Sequence, residues 1–340
     1  MANIISKKSY IEWLRIIAIL FVIYNHTRTL GFELFRVTSE SSSYWLSYVM
    51  YPICKVAVPI FFMISGANLL GKQESLGELF KKRILKHALI ILLFGTLQYF
   101  RYVRTGKVAL SVTAWIGAVY SQPLLETYWF LYLYLGFLLI LPFLRKAVIS
   151  MEKRDYIYLL TLYIVCNILA VVGYFTGYFI NSNVFEVSTI LFYPLLGYGV
   201  EKYGEEIKAK WGVLAIVVTE IIVVAIGVIY SGIYSGSSNN LTNLIQLGTP
   251  VLSFGIFLTV KYLSKGKSNK LINALGSTVF GIYLIEDIVR NQFEKIIIRY
   301  DLNAYLNDFV VVVLFVFATF VCSAAVIYIV KLIPFVKKMI

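Results

Sequence analysis

Histidine, cysteine, proline and acidic residues are all scarce in this 340-residue chain, which has two His, three Cys, seven Pro and 18 Asp plus Glu. His26 and His87 alone cannot build a histidine metal centre, and no His, Cys, Asp and Glu set has metal-ligand spacing. Cys54, Cys166 and Cys322 each fall in an apolar run. That excludes a disulfide framework and reads as small buried hydrophobes. No hydrophilic stretch is long enough to fold as a soluble domain, and no linker or internal repeat divides the chain. A nucleotide-binding glycine loop, a zincin motif, a Gly-x-Ser-x-Gly elbow and a heptad repeat are likewise missing. Whatever residues 1–340 do, they are expected to do as one domain.

What fills the chain instead is hydrocarbon. Hydrophobic residues make up 59% and charged residues 14%, against about 25% charged in a soluble domain. The mean hydropathy is +0.79. The expected fold is an all-α polytopic membrane bundle. Crossing the bilayer takes about 20 apolar residues, and ten segments suit: 10–30, 45–70, 82–101, 128–145, 156–177, 186–200, 212–232, 244–264, 272–297 and 308–334. Segment 109–122 is too short and reads as interfacial or re-entrant. Lys7 and Lys8 precede the first run as in a signal peptide. That run is long, carries charge and lacks a small-residue cleavage site, so it reads as a retained span.

The net charge of +13 follows the same pattern. With Lys7 and Lys8 inside, 21 basic residues fall in the loops on their side and 8 on the other, and only Arg15 and Lys55 lie within spans. This positive-inside bias predicts two cytoplasmic termini, with the charge facing lipid headgroups rather than nucleic acid.

The first span carries Arg15 and His26 among Ile, Leu, Val and Phe. Eleven positions apart, they lie within about 20° of one helix face and about 16 Å apart along the axis. Ionisable groups at membrane depth are costly and mark an interior-facing site. The expectation is that both look into one protein-lined passage. The second span has Pro59 and Gly66, a break or a packing feature, and Lys55, which either snorkels or lines a cavity. Lys82, Arg83 and Lys86 group on adjoining faces of the third span. They read either as a membrane anchor or as a phosphate clamp, with His87 an interfacial polar residue beside them. Glu286 and Asp287, ten residues into the ninth span, again suggest a cavity.

Taken in order, these segments resemble the acyltransferase family 3 membrane proteins. Arg15-x10-His26 resembles the signature of the family's first helix, and Val58-Pro-Ile-Phe-Phe-Met-Ile-Ser-Gly66 its second. Lys82-Arg-Ile-Leu-Lys86 is similar to the basic Arg-x-x-Arg element. Trp129-Phe-Leu-Tyr and Phe280-Gly-Ile-Tyr-Leu resemble later helices. The resemblance implies transfer of an acyl group, usually acetyl, from cytoplasmic acetyl-CoA or another acyl-CoA to a hydroxyl of an envelope or exported polysaccharide. The acyl-CoA would be a co-substrate, with no bound cofactor or metal. His26 would be the general base, with an acyl-His intermediate as the other route. Arg15 would orient the donor, Arg83, Lys86 and Lys82 would hold its phosphates, and Ser65 would shape the acyl path. Relatives often carry His just before Trp-Phe-Leu and just after Gly-Ile-Tyr-Leu-Ile, where this chain has Thr127 or Tyr128, and Glu286. Glu286 then either accepts the proton or orients His26. Two other readings remain at this level: a transporter or exporter of a glycan or acylated small molecule, and an inactive envelope scaffold. The oligomeric state has no signal.

Overall fold

The computed structural model describes residues 9–37, 41–120, 126–180, 188–234, 238–265 and 269–339. Lys7, Lys8 and Lys267, which enter the charge bias, lie outside them, as do 186 and 187 at the start of the sixth segment. Among the described residues every regular element is helical. The main helices are α1 (Ser9–Asn25), α2 (Ser42–Lys55), α3 (Ala57–Leu69), α4 (Leu76–Arg104), α5 (Val112–Tyr120), α6 (Trp129–Ser150) and α7 (Lys153–Thr176). They continue with α8 (Thr189–Tyr203), α9 (Ala209–Tyr234), α10 (Ser238–Ile245), α11 (Thr249–Leu263), α12 (Lys270–Tyr300) and α13 (Asp308–Val330).

Eight helical stretches are long and apolar enough to cross a membrane, with α2–α3 and α10–α11 each counting as one. Every one of the ten expected segments is helical, but α1 and α8, at 17 and 15 residues, fall short on length. They are the inner helices. Ten of the 17 residues of α1 are buried, among them Leu14, Ala18 and Ile19. A helix wrapped in protein has no need to match the hydrocarbon thickness. The outermost helices are α7 and α9, apolar all round and with most of their surface outside the bundle. The described part of segment 109–122 holds α5, nine residues long.

Close approach at the centre rests on missing side chains. Gly66 of α3 faces α8 so tightly that a Cβ there would fall 1.9 Å from the Pro194 carbonyl oxygen, and one at Gly197 would fall 2.1 Å from that of Met63. Small residues of this kind let membrane helices pack backbone to backbone. Between them, α2 and α3 are one apolar stretch broken at Val56. Pro59 has no N–H to offer the Lys55 carbonyl four residues earlier, so the break falls at the carbonyl the proline leaves unpaired.

Two boundaries differ from the sequence reading. The first span stops at Asn25 and runs on into short 3-10 turns at Arg28–Leu30 and Leu34–Arg36. The His26 N–H still donates to the Val22 carbonyl at 3.1 Å, so the imidazole stays in register with the helix. The ninth span continues to Tyr300. Arg290, Lys295 and Arg299, three of the eight basic residues assigned to the outer side, all lie in this helix. Arg290 can stay because carboxylates of the same helix pair with it.

Candidate active site

Arg15 and His26 do not share a passage. They open on two cavities, one on each side of a common wall. The first, about 390 Å³, is lined by Arg15, Ser65, Lys82, Arg83, Lys86 and His87. The second, about 660 Å³, is lined by His26, Arg28, Glu33, Lys55 and Arg290. Phe130 of α6 and Tyr283 of α12 line both. Their rings meet edge to face with centroids 5.6 Å apart, and the Tyr283 hydroxyl donates to the Thr127 carbonyl. Arg15 and His26 therefore line two adjoining cavities rather than a single one, with the Phe130 and Tyr283 rings at the junction.

In the first cavity the guanidinium of Arg15 is held by Glu12, one turn earlier, with Nη1 donating at 2.9 and 3.1 Å to the two carboxylate oxygens. Glu12 is buried and Arg15 a third exposed, so the charge is presented to the cavity while its partner stays inside. Gly276 of α12 makes room, since a Cβ there would fall 2.2 Å from Glu12 Oε2. Lys82, Arg83 and Lys86 lie in or next to a π-helical turn over Phe80–Ile84, an irregularity frequent at functional sites. Arg83 Nε donates to Glu74 at 2.9 Å, and Arg145 of α6 donates to the same oxygen at 3.0 Å. Burial would raise the Glu74 carboxyl, but the two guanidiniums outweigh it and hold it below the ordinary carboxylate range. Lys82 is exposed and paired with Glu78 at 2.8 Å. Ser65 is turned back on its own helix, its hydroxyl donating to the Phe61 carbonyl at 2.8 Å.

His87 is buried within the bundle. It is 5% exposed, its ring centroid is 5.0 Å from that of Tyr134, and Nε2–H donates to the Leu131 carbonyl at 2.8 Å. The apolar wall of the cavity encloses it, and a second imidazole therefore lies inside the bundle.

In the second cavity His26 Nδ1 is 2.7 Å from Glu286 Oε1. Glu286 is fully buried, and its other oxygen lies 3.4 Å from Arg290 Nε. Arg290 also donates to Asp287 at 2.8 Å, and Asp287 accepts from Arg101 of α4 at 2.7 Å. His26 Nε2 is the ring nitrogen without a partner among the described residues, on an imidazole that lines the cavity. A buried carboxylate on Nδ1 fixes the tautomer with its lone pair on Nε2. At the positions where relatives often have His, the Tyr128 hydroxyl donates to the Leu284 carbonyl at 2.7 Å and the Thr127 carbonyl receives Tyr283. Both clamp α6 to α12.

Some of these roles were open to sequence reading. Glu12 precedes Arg15 by three, and Arg290 follows Asp287 by three and Glu286 by four, spacings that pair on a helix. Glu74, Arg101, Arg145, Phe130 and Tyr283 act across elements, and no local spacing points to them. No metal-binding group of three or more His, Cys, Asp and Glu occurs among the described residues.

A polytopic helical bundle with a basic cavity at one level and a carboxylate–imidazole pair at another defines an integral membrane protein with a buried, two-chambered site. Residues 8–328 match the family described as an acyltransferase domain, acyltransferase family 3. The chain belongs to that family and is a multi-pass membrane acyltransferase. Neither a curated protein nor a solved structure matches it.

Proposed function

We propose that the protein is a plasma-membrane O-acyltransferase. It moves an acyl group, acetyl in the simplest case, from cytoplasmic acyl-CoA to a hydroxyl of an envelope or exported polysaccharide. The observation that carries this is the placement of His26, backed by Glu286, across a two-ring wall from a cavity lined by Arg15, Lys82, Arg83 and Lys86. Arg83 and Lys86, with Lys82 at the rim, meet the phosphates of the donor, and Arg15 steers its thioester end. The excess of basic residues in the loops at this end supports a cytoplasmic position for it, with the His26 cavity facing outward.

At His26 the acceptor hydroxyl gives its proton to Nε2 as its oxygen bonds to the thioester carbonyl carbon. Glu286 stabilises the imidazolium and keeps the ring in place. Glu286 is the orienting group, since it reaches the cavity only through the ring. The tetrahedral centre collapses, the C–S bond breaks, and the thiolate of CoA takes the proton. The products are an ester and a free thiol.

The test is purified protein in lipid nanodiscs with labelled acetyl-CoA and surface polysaccharide. Label should enter the polysaccharide as a base-labile ester with the wild type and not with His26→Ala, whose expression and insertion are unchanged. Full transfer by His26→Ala removes His26 as the base. No acyl-CoA-dependent transfer by the wild type rejects the whole reading.

A further inference from the structure

The second cavity contains a cation that the acyl-transfer chemistry above does not use. Lys55 sits at the break between α2 and α3, its ammonium 5.1 Å from the ring centroids of both Phe32 and Tyr51. The rings hold it by cation–π attraction. Among the described residues no carboxylate lies within ion-pair distance of it. Among the described residues the one carboxylate on the cavity wall, Glu33, is turned to Arg36 at 3.3 Å. Arg290, on the same wall, is already matched by Glu286 and Asp287. Lys55 is thus a cation on the cavity wall that has no ion pair among the described residues.

A neutral sugar makes no demand for this. Hydroxyls are satisfied by amides and other hydroxyls, and an ammonium at membrane depth is a standing cost that an anion relieves. Opposite charge in a shielded cavity also holds a ligand in one register. Lys55 and His26 line the same chamber, so an anion on Lys55 would fix which hydroxyl of the same or a neighbouring sugar meets Nε2.

We infer that the acceptor is an acidic glycan, one whose sugars carry a carboxylate or phosphate, and that Lys55 is the residue that selects it. This rests on the acyltransferase reading for its chemistry but not for its binding, and the experiment separates the two. Four oligosaccharides of equal length serve as probes: a neutral glucan, a glucuronate-bearing chain, the methyl ester of that chain and a phosphate-bearing chain. Each is titrated calorimetrically into wild-type protein without donor, and transfer from labelled acetyl-CoA is measured in parallel.

The wild type should bind the glucuronate or the phosphate chain about tenfold more tightly than the neutral or esterified one, the difference a charge-assisted hydrogen bond makes. Lys55→Met should lose that preference and Lys55→Arg keep most of it. The comparison of acid with ester needs no variant, so a misfolded Lys55→Met leaves the test intact. Equal binding of acid and ester, binding of neutral chains only, no binding of either acidic chain, or an undiminished preference in folded Lys55→Met each overturn the inference. Selective acid binding without any transfer leaves it standing and sinks the acyltransferase reading instead. The glucuronate and phosphate arms tell which anion the chamber takes.

Discussion

His26 has one ring nitrogen committed and one free, and that asymmetry gives a sharp substitution at the residue scale. Glu286→Gln preserves size and one hydrogen bond but removes the charge that stabilises an imidazolium and fixes the tautomer. Its kcat for transfer should fall by roughly 10²- to 10⁴-fold with little change in KM. A kcat equal to the wild type, measured on folded variant, would mean that Glu286 is structural only. The sequence carried Arg15, His26 and Glu286 as single costly groups in apolar helices. Their local partners, Glu12 and Arg290, were within reach of helical spacing. What it could not carry was the outer ring of support. Arg101 meets Asp287 across 186 positions and Arg145 meets Glu74 across 71, and only the packed bundle brings such pairs together.

Among the elements, α3 and α8 show how few residues set the packing. A Cβ at Gly66 has no place to go but into the backbone of Pro194, whereas one at Gly77, at the start of α4, meets nothing within 4 Å. Gly66→Ala should therefore cost about 1–3 kcal/mol as an overpacked contact. Gly77→Ala should be neutral or stabilise by about 0.4–1 kcal/mol through the unfolded chain. Thermal unfolding midpoints of the two variants in one detergent check the pair, and equal shifts would refute the close approach.

Glu74 anchors the other contact at this scale, tying α4 to α6 through Arg83 and Arg145. Its carboxyl is held below the ordinary range by those guanidiniums. The contribution is thus complete above the unfolded glutamate pKa and lost as pH falls through the lower folded one. The stability gap between wild type and Glu74→Gln should be full at neutral pH and close in acid. A gap independent of pH would contradict the ion pairing. Hydropathy located every long helix, because length and apolarity are local properties. It overran the end of α1, where the chain passes into 3-10 turns after Asn25.

At the scale of the whole molecule, the proposed reading makes the two rings between the cavities the point that couples acyl transfer to the acceptor. On the proposed reading the two cavities serve donor and acceptor, one lined by basic side chains and one built around an imidazole. They meet only at Phe130 and Tyr283 among the described lining residues. Tyr283 is fixed by its hydroxyl on the Thr127 carbonyl, so Phe130 is the half of the wall free of polar ties. On that reading the closed rings keep water in the acceptor chamber from the thioester. Truncating one ring should merge the chambers and let His26 activate water as readily as a sugar hydroxyl. Phe130→Ala should raise acetyl-CoA hydrolysis without acceptor severalfold while transfer to polysaccharide falls, and Phe130→Leu should lie between. The readout is the ratio of free thiol released to ester formed, which a merely destabilised enzyme would leave at its wild-type value because both products would fall together. An unchanged ratio in a folded Phe130→Ala would show that the acyl group reaches His26 by a route that does not pass the two rings.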